Sequence, residues 1–113
     1  MIKIYHNPRC RKSRAGLEYL KTNNKEFEIV EYLNQPLTVE ELSKLLKKLN
    51  VPVQDLVRKQ EAYYKSDLKG KTFTEQQWLE ILVKNPKLIR RPIIETEKKA
   101  IIAEDLSVLG NFF

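Results

Sequence analysis

Ile4-Tyr5-His6-Asn7-Pro8-Arg9-Cys10-Arg11-Lys12-Ser13-Arg14 is the stretch on which the reading of this chain turns. Met1 to Tyr5 leads into it with alternating apolar and polar residues, the pattern of a short strand. His6-Asn7-Pro8-Arg9 breaks that strand, because Pro8 donates no backbone hydrogen bond and restricts Asn7. From about Arg11 the spacing of Ala15, Leu17, Tyr19 and Leu20 predicts a helix. Cys10 therefore falls at the junction of a strand and a helix.

Reading outward, Thr22-Asn23-Asn24 ends the helix, and Glu26 to Glu31 alternates as a second strand before a turn at Asn34-Gln35-Pro36. Thr38 and Glu41 make a T-x-x-E capping pattern ahead of Leu42, Leu45, Leu46 and Leu49. Val53 to Arg58 reads as a short helix after Pro52, and residues 61–72 as a looser connection. A further helix runs from Thr74 with Trp78, Leu79, Leu82 and Val83 as its apolar stripe, and Asn85-Pro86 stops it. Ile93-Ile94 and Ile101-Ile102 flank a polar turn, a hairpin signature, and Asp105 can cap a last short helix through Leu106 and Leu109. The order is β-α-β, then helices, then β-β-α. Its first three elements suit a right-handed parallel crossover. We expect one α/β domain over residues 1–113 with a helical insertion at about 37–88.

The 113 residues, 42% hydrophobic and 32% charged, suffice for one core. A mean hydropathy of -0.50 and the lack of any apolar run near 20 residues argue against a membrane protein. Met1 to Tyr5 has no signal-peptide character, so a reducing cytoplasmic setting is expected. One Cys and one His cannot build a four-ligand zinc site, and one Cys cannot close an internal disulfide. No metal or bound cofactor is expected, and any thiol chemistry belongs to Cys10 with an external partner. The net charge of +6 is concentrated: residues 1–17 hold five cations and no acid. That is not the extended basic stripe with stacking aromatics of a nucleic-acid binder. Trp78, Leu79 and Leu82 read as core, Lys44, Lys47 and Lys48 as the solvated face of a helix. Tyr63-Tyr64 can either line a site or pack the insertion.

A lone cysteine is ordinarily a small buried hydrophobe. At a helix N-terminus, however, free amides and the helix dipole favour a thiolate, and Arg9, Arg11, Lys12 and Arg14 add positive charge. Such surroundings lower a thiol pKa from about 8.5 toward neutrality. The Ser13 hydroxyl can donate to the sulfur or to a bound anion.

The run from Ile4 to Arg14 resembles the nucleophile loop, roughly I-Y-H-N-P-x-C-x-x-S-R, of the glutaredoxin-coupled arsenate reductase family. The resemblance continues at Leu56-Val57-Arg58-Lys59 and at Leu88-Ile89-Arg90-Arg91-Pro92-Ile93-Ile94, so it spans most of the chain. It implies a thioredoxin-like fold. Cys10 matches the arsenate-attacking thiolate, and Arg58 and Arg91 match oxyanion-binding arginines, with Ser13 and Arg14 from the first motif beside them. His6 matches a histidine near the thiol and, with Arg11, is expected to tune it. Pro92 matches the cis proline opposite the cysteine. One departure stands out. Glu104 occupies the place of the family's third arginine, where a carboxylate repels an arsenate dianion and can pair with Arg58 or Arg91.

The resemblance implies a thiol oxidoreductase acting on an arsenate-like oxyanion, with glutathione as co-substrate and glutaredoxin as partner. Glu104 keeps a second reading open, a glutathione-dependent reductase of mixed disulfides without arsenate activity. Some relatives of this fold are regulators that bind RNA polymerase, typically through a C-x-x-C switch. Ser13 in the second position argues against such a switch.

Overall fold

The computed structural model describes residues 1–113 except Asn24. Strands β1 (Ile2–Tyr5), β2 (Phe27–Val30), β3 (Ile93–Glu95) and β4 (Ala100–Ile102) form one mixed sheet in the order β2-β1-β3-β4. Strands β1 and β2 are parallel, with Ile4 opposite Ile29, and β1 and β3 antiparallel, with Ile4 opposite Ile94. The β3–β4 pair is the antiparallel hairpin expected from its isoleucines, Ile94 facing Ile101. The helices are α1 (Arg11–Thr22), α2 (Val39–Leu49) and α3 (Glu75–Lys84). This is the α/β order read from the sequence.

Parallel strands need a crossover, and α1 supplies it between β1 and β2. Its end is marked by Asn23, whose amide reaches the Tyr19 carbonyl; the Asn24 part of the expected stop lies outside the described residues. In α2 the expected capping box is complete. Thr38 Oγ1 accepts from the Glu41 amide at 3.1 Å, and Glu41 accepts from the Thr38 amide at 2.9 Å. Leu42, Leu45, Leu46 and Leu49 are all buried, and each stabilises by about 1.5–3 kcal/mol. Packing of that face therefore outweighs intrinsic propensity in holding the helix. A second box, Thr74 with Gln77, opens α3.

The β1–β3 centre of the sheet separates two apolar layers, as strand alternation requires. Tyr5 and Ile93 face α2, α3 and the 3-10 turn Val53–Leu56. Ile4 and Ile94 face Leu20 of α1 and the C-terminal Leu109 and Phe112. A further 3-10 turn, Leu106–Leu109, begins where the Asp105 carboxylate accepts from the Ser107 amide. Among the described residues no helix is long and apolar enough to cross a membrane.

Three local expectations need correction. The turn after β2 comes early, with the amides of Asn34 and Gln35 both donating to the Glu31 carbonyl, so Tyr32 sits inside it and is buried. The segment read as loose contains a π-helical turn, Tyr64–Leu68, pinned by buried Leu68. Lys48 is not part of a solvated face. Its Nζ donates to Glu95 Oε2 at 2.8 Å and to the Thr96 carbonyl at 2.9 Å, while the Tyr5 hydroxyl donates to Glu95 Oε1 at 2.6 Å. Because α2 lies beside the sheet, this lysine stem can reach a strand carboxylate.

Candidate active site

The loop after β1 is closed by its own polar groups. His6 extends the sheet through its amide to the Val30 carbonyl at 2.9 Å. The Asn7 side-chain oxygen accepts from the Arg9 amide at 3.0 Å, a turn motif that short Asn side chains favour. The Cys10 amide then donates to the Asn7 carbonyl, and the Cys10 carbonyl accepts the first helical bond, from Arg14. Cys10 is thus the N-cap of α1, in extended backbone geometry and half-buried.

Register supplies the opposite wall. Ile93 lies across from Tyr5, so Arg91-Pro92, joined by a cis peptide bond, runs beside the Cys10 loop. Gly16 lets α1 approach: a Cβ there would stand 2.9 Å from the Pro92 ring. The third segment arrives through a short antiparallel bridge of Val57 with Ile89. In it the Arg58 amide donates to the Leu88 carbonyl at 2.7 Å and the Arg90 amide to the Leu56 carbonyl at 2.8 Å. Two motifs some thirty residues apart in sequence are thereby stitched together, and the second of them carries Arg91 and Pro92.

The electrostatics of Cys10 follow from these neighbours. Burial of the sulfur opposes its ionisation, but the Ser13 amide, the Arg91 guanidinium and the Lys12 amide near it favour the charged form and prevail. The net effect lowers the thiol below its ordinary value, as donors to the charged form must. His6 is held below its usual pKa, chiefly by burial and against the pull of Glu31, so it is neutral at pH 7.

The remaining expected site residues divide. The Ser13 hydroxyl does not serve the sulfur: fully buried, it lies 2.6 Å from His6 Nδ1 and accepts from the Asn7 amide at 2.9 Å. Ser13 meets the thiol through its backbone instead. Arg14 turns back to the Pro8 carbonyl at 2.9 Å and braces the loop. Arg11 is exposed on the first turn of α1. Arg58 pairs with Glu61 at 2.7 Å. Glu104 pairs with neither Arg58 nor Arg91, contrary to expectation, but with Arg90, whose other edge donates to the Asp55 carbonyl. The backbone bridge aims consecutive arginines differently, which is why Arg90 rather than Arg91 receives the carboxylate. Of the two tyrosines left open, Tyr64 packs on the core and exposed Tyr63 lines a groove of about 890 Å³. That groove runs beside the loop, bounded by His6, Arg9, Glu31, Glu61, Lys87 and Arg91 among others. Tyr32, Arg90 and Glu61 went unread as site residues. The i,i+3 spacing of Arg58 and Glu61 was the one local signal that could have exposed any of them.

Comparison with known proteins gives the same outline. Residues 5–112 match the model of the ArsC family. The chain is 43% identical over 103 residues to the uncharacterized protein YfgD of Escherichia coli (strain K12), covering 89% of this chain and 87% of that one. It is 38% identical over 96 residues to an arsenate reductase of the same strain, covering 84% and 68%. An arsenate reductase structure from Vibrio cholerae superposes with a TM-score of 0.86 at 32% identity, covering 90% of this chain and 88% of that one. The mixed four-stranded sheet with its flanking helices is the thioredoxin-like fold of these neighbours. On the strength of a match that runs from the end of β1 almost to the last residue, the chain belongs to the ArsC family.

Proposed function

We propose that this protein is a thiol-dependent oxidoreductase of the arsenate reductase type, with Cys10 as its nucleophile. The observation that carries this reading is the convergence of the Ser13 and Lys12 amides and the Arg91 guanidinium on one half-buried sulfur. Donors so placed stabilise a thiolate and, next to it, the negative oxygens of a bound oxyanion. Family membership and the arsenate reductases among its relatives add support.

The thiolate attacks arsenic(V), a sulfur–arsenic bond forms, and one oxygen leaves as hydroxide or water. Arg91 and Arg58 neutralise the remaining oxygens, by paired N–H donors where the geometry allows. Arg58 must first loosen from Glu61. The chain has a single cysteine, so an external thiol completes the reaction. Glutathione thiolate attacks the Cys10 sulfur, a disulfide forms, and the sulfur–arsenic bond breaks with its electron pair retained on arsenic as arsenite. Two thiols are oxidised and arsenic gains two electrons. A glutaredoxin thiolate then attacks the glutathione sulfur and releases Cys10. Neutral His6 and Ser13 hold the loop in shape through these steps.

The test is arsenate turnover with glutathione and glutaredoxin, compared between the wild type and Cys10→Ser, with thioredoxin as an alternative donor. Cys10→Ser should abolish turnover, and equal rates refute the reading. The pairing of Arg58 with Glu61 and of Arg90 with Glu104 favours one second reading, a reductase of glutathione mixed disulfides. Glutathionylation of Cys10 and its reversal, with no arsenate turnover, would select it.

A further inference from the structure

Tyr32 follows β2 in the turn closed on the Glu31 carbonyl, and only 1% of it is exposed. Its ring packs in the larger core layer, yet its hydroxyl has no hydrogen-bond partner among the described residues. The charged groups that act on that hydroxyl are those of the thiolate site: Arg91 foremost, then Cys10 and Arg58. Arg91 has the complementary defect. Its Nε is buried without an acceptor among the described residues, and its Nη1 has only a long bond, 3.2 Å, to the Lys87 carbonyl. A buried acceptor and a buried donor left open in one site are each costly, and a bond between them satisfies both.

We propose that Tyr32 is a positioning residue of the thiolate site: its hydroxyl oxygen accepts a hydrogen bond from the Arg91 guanidinium and holds that guanidinium toward the Cys10 sulfur. The inference rests on Cys10 being the reactive thiolate, and Tyr32 itself touches neither sulfur nor substrate. Burial pushes the Tyr32 hydroxyl up to about 12, so it is a neutral group throughout the working range. A guanidinium with a single anchor on one edge can swing. With a second anchor it presents a fixed pair of donors to sulfur and oxyanion. A phenylalanine would fill the same space and leave no open hydroxyl, and this makes Tyr32→Phe the informative change.

The experiment is the rate of Cys10 alkylation by iodoacetamide against pH, for wild type, Tyr32→Phe, Arg91→Ala and the double variant, with thermal unfolding as the check on folding. Tyr32→Phe should raise the midpoint of the profile and slow alkylation at pH 7 by about three- to tenfold, the worth of one hydrogen bond. In the Arg91→Ala background the same change should add nothing, because the tyrosine acts through that arginine. If Arg91→Ala does not fold, Arg91→Lys, which keeps charge but not the fork, takes its place. A folded Tyr32→Phe protein with the wild-type profile overturns the proposal, as does an equal effect with and without Arg91. In arsenate assays the KM should rise more than kcat falls. Absence of arsenate turnover in the wild type would count against the substrate and leave the alkylation result to decide on Tyr32. A wild-type midpoint at the ordinary thiol value would overturn both.

Discussion

Ser13→Ala separates two accounts of how the thiol loop is held. The Ser13 oxygen is fully buried between His6 Nδ1 at 2.6 Å and the Asn7 amide at 2.9 Å. Both partners are themselves buried, His6 at 5% and Asn7 at 6% exposure. Deleting the oxygen leaves two polar groups unpaired, each at about 1–3 kcal/mol. The expected loss is about 2–6 kcal/mol, a large part of the stability of a domain this size. In urea that is a fall of roughly 1–3 M in the unfolding midpoint at an unchanged slope. The sulfur, by contrast, is served by the Ser13 amide, which alanine retains. The alkylation midpoint of Cys10 should therefore stay within about half a pH unit. If the hydroxyl instead served the sulfur, the signs would reverse, with stability kept and the thiol pKa raised. A loss below about 0.5 kcal/mol together with a thiol shift near one unit would refute the reasoning.

Two further outcomes follow from contacts away from Ser13. Gly16→Ala should destabilise despite a gain of about 1 kcal/mol in helix propensity, because its Cβ would stand 2.9 Å from the Pro92 ring and overpacking costs about 1–3 kcal/mol; a rise in thermal unfolding temperature would contradict it. Burial opposes ionisation of Glu95, but its bonds from Lys48 and Tyr5 lower its pKa overall. That contribution is complete above the carboxylate's unfolded pKa and disappears as pH falls through the lower folded value, so the stability gap between wild type and Glu95→Gln should begin to narrow as pH falls below about 4.5. Unfolding temperatures measured from pH 7 to pH 3 test it, and a gap that stays constant or widens on acidification refutes it.

What the amino-acid order made legible is what short stretches decide. The strand–Cys10–helix junction, the Thr38 capping box and the isoleucine hairpin each need only a handful of neighbours. So does the polarity at the sulfur, since free amides exist at any helix N-terminus. What stayed hidden depends on register between distant segments. The Val57–Ile89 bridge joins the Arg58 segment to the Arg90-Arg91 segment and decides that Arg90, not Arg91, turns toward Glu104. No periodicity encodes that choice. Lys48 departs from its expected solvated face for the same reason, as its helix position is ordinary and only the neighbouring strand turns it inward. Tyr32 escaped because its turn begins earlier than the Asn-Gln-Pro signal suggests.

The charge arrangement bears on substrate choice. Of the three arginines in the two later motifs, Arg58 and Arg90 already hold carboxylates, and Arg91 alone faces the sulfur. Once Cys10 ionises, its charge offsets that of Arg91, which leaves the helix amides and the groove cations Arg9 and Lys87 to attract an incoming dianion. In the proposed reaction, arsenate recruits Arg58 only by drawing it away from Glu61, and the energy of that exchange is taken from its own binding. A neutral disulfide asks for no such exchange. On the proposed reading, discrimination between the two substrate classes depends on how firmly Glu61 and Glu104 keep their arginines.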